Sequence, residues 1–357
     1  MAIPEVEVLE TPFVPLEVGE EDLTPARKRS KLYPLLMVIA GIALIIFAGW
    51  GIRSADVVIR TLVALVGAVV LWHGLQVLGE IRYGMRFKLG LIVAFAWVGL
   101  VLFCAIFAAF LPIEEWEKAD IPNRLMRPGL RWPEPLGRTA NGYSELTHVI
   151  YGARASLLIG FVAVIVGILI GVLAGLVAGW YGKTLDHSVG IITNTILAFP
   201  PLILLLSIVA VYGSSIRTLA LALAVLSIPT YTRLMRAQTL STRQREFVLA
   251  ARAMGASNRR QMWREILPNS IIPVASYSFL VIGAVIVAEG SLSYLGVGVP
   301  PPKPSWGGMI ADGQIKLKTD PHLVFVPATV LFLTVLSFNR IGEWARRTAG
   351  GEKGEGR

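Results

Sequence analysis

The chain has 357 residues, 54% of them hydrophobic and only 16% charged, with a formal net charge of +9 and a mean hydropathy of +0.64. That balance is too apolar for an ordinary soluble protein of this length and predicts a membrane protein. The positive excess flanks apolar runs, which argues against nucleic acid as a partner, and the single cysteine, Cys104, gives no disulfide framework.

In chain order, residues 1–31 carry seven acidic side chains, then Arg27, Lys28, Arg29 and Lys31, without an apolar core. They are expected to form a disordered cytoplasmic tail and not a cleavable signal peptide. Runs long enough to cross about 30 Å of hydrocarbon follow, near 34–51, 57–79, 89–111, 155–180, 188–212, 217–235, 271–296 and 322–341. The expected fold is an all-α bundle of about eight transmembrane helices. Its first two form a hairpin over 32–80, with Arg53, Asp56 and Arg60 in the turn and His73 and Gln76 near the inner end. Segment 81–135 holds the third span and a polar stretch, 136–345 the main transmembrane domain, and 346–357 a short tail.

Eight spans return both termini to one side. Arg82, Arg86 and Lys88, the eight arginines from Arg233 to Arg264, and Arg346 with Arg347 join the N-terminal cluster on that side, which makes it cytoplasmic. The opposing segment 112–150 balances Lys118, Arg124, Arg127, Arg131 and Arg138 with Glu114, Glu115, Glu117, Asp120 and Glu134.

Within the fourth span, Gly167, Gly171, Gly175 and Gly179 recur every four residues and give a smooth face that another helix can approach closely. The loop EFVLAARAMGASNRRQMWREILPN (246–269) separates two apolar stretches. It predicts a short helix ending at Met254, a left-handed cap at Gly255, and a second helix capped by Asn258 and ended by Pro268. Ala250 and Ala251 leave the backbone approachable, as suits a rigid hairpin that docks into a groove.

Glu289 lies in a late apolar stretch, where an unpaired carboxylate is costly, so it is expected to have a partner or a wet cavity. A structural role and a pathway role are equally open. The stretch PPPKPSWG, with Pro304, Ser305 and Trp306, is too proline-rich to span and is expected to be an ordered re-entrant or external loop, Trp306 serving as an interfacial anchor.

Signals for chemistry are missing. Gly182-Lys183-Thr184 resembles the end of a phosphate-binding loop, but Val177 stands where a glycine is required. His73, His148, His187 and His322 lack zinc spacing, and no nucleophile elbow occurs. No catalytic residue, metal site or bound cofactor is expected in this chain.

The order Glu246, Ala250-Ala251, Gly255, Ile266-Leu267-Pro268 resembles the EAA loop of ABC importer permeases, with Leu249 where many members place Glu. The spelling FVLAARAMGAS is that of the dipeptide, oligopeptide and nickel branch. Further matches are VIYGARASL at 149–157, Gly179-Trp180-Tyr181-Gly182 with Asp186, Ala198-Phe199-Pro200, and EGSLSYLGVGVPPPKPSWGGMI from Glu289 to Ile310. Two departures stand out. The family's L-G-T-D-x-x-G-R-D is LGRTANGYSE here, with Arg138, Thr139, Tyr143 and Ser144 replacing T, D, R and D, and the first two spans precede the usual single one.

The resemblance implies a type I importer transmembrane domain with an extra N-terminal hairpin, the C-type permease subunit of a peptide importer. It implies a second homologous permease, two ATP-binding subunits that receive the EAA loop and hold the ATP and Mg²⁺, and an extracytoplasmic binding protein that meets the region around Pro304 to Trp306. Nickel or an oligosaccharide is the alternative cargo. A secondary carrier, or a membrane scaffold or enzyme without transport, is the alternative class.

Overall fold

The computed structural model describes residues 32–48, 57–83, 88–129, 132 and 134–349. The expected tail 1–31, the turn residues Arg53 and Asp56, Arg86, Arg131 and residues from 350 onward lie outside them. The described residues are almost wholly helical and fall into two compact units divided at Leu89.

The first unit pairs α1 (Leu32–Ile46) with α2 (Val57–Tyr83). Gly41 faces the backbone of Leu71, Gly67 faces Leu44, and Gly74 faces Val38 and Pro34, so the two helices run antiparallel at close range.

The second unit comprises α3 (Leu89–Phe107), α4 (Glu145–Tyr181), α5 (Lys183–Ala198), α6 (Pro201–Tyr212), α7 (Ile216–Thr242), α8 (Glu246–Ala253), α9 (Asn258–Arg260), α10 (Leu267–Tyr294), α11 (Trp306–Gly313) and α12 (His322–Ala349). Among the described residues six helices are long and apolar enough to cross a membrane, seven if α5 and α6 form one broken span, and α1 is a shorter apolar helix.

Three expected spans are corrected. The run 188–212 is not one helix: α5 and α6 meet at 88° around Phe199-Pro200. Consecutive Pro200 and Pro201 withhold two backbone donors and push the preceding residues out of helical geometry. The span expected at 155–180 begins at Glu145, and α4 is about 55 Å long, well beyond the hydrocarbon thickness. The span expected from 271 is continuous with the loop before it, because a π turn (Gln261–Ile266) runs directly into α10. Pro268 therefore does not end a helix. It follows directly on the π turn, one residue into α10.

The core is built on the seam between α4 and α7. Gly167 lies on Ser227 and Tyr231, Gly171 on Tyr231 and the Ile228 carbonyl, Gly175 on Met235 and Arg236, and Gly179 on Thr239. A side chain at 171 would place its Cβ 2.6 Å from the Cβ of Tyr231. Tyr231 and Met235 are fully buried as a result. On the other side α10 meets α12, where Gly283 faces Val335 and Asn339 and Gly342 faces Leu280. Phe161 and Phe338 stack edge-on at 6.2 Å between α4 and α12. α3 is fastened to α12 by Trp97 Nε1, which donates to Thr334 Oγ1 at 3.1 Å.

Gly171→Leu is expected to destabilise the second unit by about 1–3 kcal/mol or more through overpacking. Gly99→Leu, with nothing within 4 Å of its Cβ, is expected to be neutral. Thermal unfolding in detergent compares the two.

Candidate functional site

Three arrangements of polar residues stand out in the second unit. The first is the hairpin of α8, α9 and the π turn. Val248, Ala251, Met262 and Ile266 turn inward and are buried, whereas Leu249, Ala250, Ala253, Met254 and Gly255 are exposed along the crest. Ala250 and Ala251 thus do not act as a pair: one faces out and the other packs.

α8 ends in a self-sufficient turn. Gly255 has φ +81°, its N–H donates to the Arg252 carbonyl, and the Ala256 N–H donates to the Ala251 carbonyl, both at 3.0 Å. This is the Schellman closure, which favours glycine at the left-handed position. The second helix is capped by Ser257, whose Oγ accepts from the Arg260 N–H at 3.4 Å. The expectation for Asn258 is thereby corrected by one residue, since Ser257 has the extended backbone a cap needs and Asn258 is already helical. Gln261 Nε2 donates to the Ala256 carbonyl at 2.6 Å and ties the turn to the π segment.

The hairpin rests on the end of α4. The Arg252 guanidinium lies 5.6 Å from the centre of the Trp180 ring, and Arg243 Nη1 donates to the Gly179 carbonyl at 3.0 Å. Beside them Arg236 on α7 pairs with Asp186 on α5.

The second arrangement surrounds Glu289, which is fully buried. Ser156 Oγ on α4 donates to Oε2 at 3.0 Å, and Ser293 Oγ on α10 donates to Oε1 at 2.8 Å. Ser305 caps α11, its Oγ accepting from the Gly308 N–H at 3.1 Å and lying 3.3 Å from Ser293 Oγ. Hydroxyl donors thus meet the need for a partner that a carboxylate has in a membrane interior.

Trp306 is not an interfacial anchor. It is fully buried, its Nε1 donates to the Val149 carbonyl at 3.0 Å, and Gly152 opens the space beside it. The proline-rich stretch before it is irregular, whereas Trp306 itself begins α11, because Ser305 supplies a cap that composition alone did not reveal.

The third arrangement is one that sequence reasoning missed. Arg138, from the segment departing from the family pattern, is buried and donates to the Gly142 carbonyl (2.7 Å), to Glu114 (2.7 Å) and to Glu134. Asp120 lies 3.7 Å away. The Glu114 carbonyl accepts from Thr147, the Trp116 carbonyl lies 3.0 Å from His148 Nε2, and Tyr143 stacks on His148 at 4.7 Å. The guanidinium therefore gathers segment 114–144 onto the head of α4. The sequence shows only that acids and bases are balanced across this segment, which does not single out Arg138. Asn123, and next Arg138, hold the Asp120 carboxyl below its ordinary range. Its contribution is present above the ordinary carboxylate pKa and is lost as pH falls through the lowered value.

Apolar helices of membrane-spanning length carrying a self-capped, arginine-rich hairpin define a polytopic membrane protein. The chain belongs to the family of binding-protein-dependent transport system inner membrane components, whose model matches residues 167–348. It is 35% identical over 255 residues to the dipeptide transport system permease protein DppC of Alkalihalophilus pseudofirmus, covering 70% of this chain and 83% of that one. It is 36% identical over 249 residues to the glutathione transport system permease protein GsiD of Escherichia coli, covering 69% and 81%. Among solved structures, an inward-facing form of the MetNI methionine ABC transporter covers 57% of this chain and 96% of its own, at 18% identity and a TM-score of 0.48. The protein is a multi-pass inner-membrane permease subunit of an ABC importer, a class that works with partner ATPases and substrate-binding proteins.

Arg138→Ala would leave Glu114 and Glu134 facing each other, a loss of roughly 3–5 kcal/mol for a buried pair stripped of one partner. Hydrogen exchange across 114–144 is expected to accelerate strongly, and Arg138→Lys, which keeps the charge but not the fork, is expected to fall between the two.

Proposed function

We propose that this chain and a second, homologous permease form the translocation pathway for di- or oligopeptides. Two ATP-binding subunits clasp the hairpins, one on each permease, and bind the ATP and Mg²⁺ whose turnover drives transport. An extracytoplasmic binding protein delivers substrate near the stretch Pro304-Ser305-Trp306. The chain itself holds no catalytic residue. Both termini lie in the cytoplasm, a reading that rests on the clusters of Lys and Arg flanking the spans.

The observation that carries the docking role is the crest of the hairpin. Ala250, Ala253, Met254 and Gly255 are exposed together on a turn that closes its own backbone bonds. Small residues let a partner approach the backbone, and Met254, 80% exposed, offers an adaptable apolar contact. A peptide cargo is supported by the two relatives, which are dipeptide and glutathione permeases.

The test is to purify a tagged copy from its native membrane in mild detergent, identify what accompanies it, and reconstitute uptake with labelled dipeptide, glutathione or nickel. Recovery with a homologous permease and ATP-binding subunits, and ATP-dependent peptide uptake, is the expected result. Uptake by this chain alone would favour a secondary carrier. Gly255→Trp is expected to leave insertion intact and to cut uptake by about tenfold or more, equal to ~1.4 kcal/mol of docking energy. Normal uptake by that variant would sink the role of the hairpin.

A further inference from the structure

α4 and α10 are linked at both of their ends. At the hairpin end, Arg252 rests on Trp180 of α4 while the π turn feeds directly into α10. At the other end, Ser156 of α4 donates to Glu289 of α10. At 1.5 Å per residue, Glu289 lies about 34 Å along the axis from Ile266, and Ser156 about 36 Å from Trp180. Those lengths match the hydrocarbon thickness, so the two links lie on opposite sides of the membrane.

The far link holds more than two helices. The Trp306 N–H donates to Ser156 Oγ at 3.4 Å, so the serine that serves Glu289 also receives the start of α11. Gly307 packs directly on Gly290, one residue from Glu289. Ser305 Oγ, the cap of α11, lies 3.3 Å from Ser293 Oγ, the second donor to the carboxylate. The carboxylate is thus the common acceptor of a cluster drawn from α4, α10 and the cap of α11. The same stretch of α4 carries His148 and Thr147, which hold segment 114–116.

We infer that Glu289 is a positioning residue that fastens the far end of α10 to α4 and α11, so that displacement of the hairpin reaches α11 on the opposite side of the membrane. This inference rests on the permease reading above. It assigns Glu289 to the relay between the two membrane faces and removes it from the surface that touches cargo. α10 has no break between the π turn and Tyr294, and its internal Pro273 lies near the hairpin end. A push on the hairpin is therefore delivered along the axis. Without the carboxylate, α10 loses its polar bond to α4, while α11 keeps the bonds of Trp306 to Ser156 and to the Val149 carbonyl.

The test uses the whole importer with its ATP-binding subunits and binding protein in liposomes. The readout is the ratio of ATPase rates with and without substrate-loaded binding protein. Glu289→Ala and Ser156→Ala are each expected to lower that ratio, the former by roughly threefold to thirtyfold. The double variant is expected to fall little below Glu289→Ala, since the Ser156–Glu289 bond is lost in both and Ser156→Ala removes besides it only the 3.4 Å bond from the Trp306 N–H. Glu289→Gln, which still accepts from one serine, is expected to restore part of the ratio. In a Cys104→Ala background, spin labels at Asn269→Cys and Ile315→Cys report the distance from the start of α10 to the turn that follows α11. ATP is expected to leave it unchanged in the otherwise native complex and to shift or broaden it with Glu289→Ala. Should the variants assemble with a native ratio and an ATP-insensitive distance, or should the two substitutions add, the relay role is overturned. An otherwise native complex that performs no ATP-driven uptake would instead overturn the permease reading.

Discussion

Helices in hydrocarbon gain little by burying apolar side chains against each other, so they associate where backbones come close enough for van der Waals contact. In this protein that condition is met along α4, where four glycines spaced by one turn receive Tyr231, Met235 and Thr239 of α7. The rest of the second unit is arranged around this seam. Because α7 is pressed onto α4, Arg236 and Arg243 reach Asp186 and the Gly179 carbonyl, and the hairpin that follows α7 begins at a fixed place. Because α10 packs against the same pair, the carboxylate of Glu289 meets Ser156 with both groups sealed from lipid.

Polar groups are distributed in keeping with that constraint. Close to the hairpin, arginines serve carbonyls, a carboxylate and an indole face. Toward the other side, hydroxyls serve one buried carboxylate, and a single buried guanidinium gathers Glu114, Glu134 and Asp120. Between these two layers the helices meet through glycine, aliphatic and aromatic side chains, with few polar bonds such as that of Trp97 to Thr334. Charge is thus spent where segments outside the hydrocarbon must be held to helix ends, and close packing holds the interior.

Much of the architecture was legible in the sequence because hydrophobic runs and glycine spacing are direct records of the membrane and of helix contact. The spans, the glycine face and the left-handed turn at Gly255 all belong to this class. What was misread depends on a residue's place relative to an element boundary. Pro268 was expected to end a helix, yet the helix runs through it from the π turn into α10. The Pro200-Pro201 pair was passed over because the run around it is uniformly apolar, although two prolines together were sufficient to break it. Ser257 and Asn258 are equally good caps by type, and only backbone geometry selects between them. Trp306 illustrates a different limit: an aromatic near a membrane boundary is an anchor or a core residue according to what surrounds it. Its burial comes from Gly152 and the Val149 carbonyl, some 150 residues away in the chain. Arg138 lay among five acids, and no spacing rule singles out which of them it gathers.

The closure at the tip of the hairpin bears on how quickly a partner can engage it. The bonds from Gly255 and Ala256 back to Arg252 and Ala251 are internal, as is the bond from Gln261 to the Ala256 carbonyl. The crest consequently holds its shape before anything binds, and docking surrenders little conformational entropy. A contact of this kind forms by rigid encounter without folding on the partner's surface. Under the docking role proposed above, repeated release and re-engagement would leave the tip unchanged.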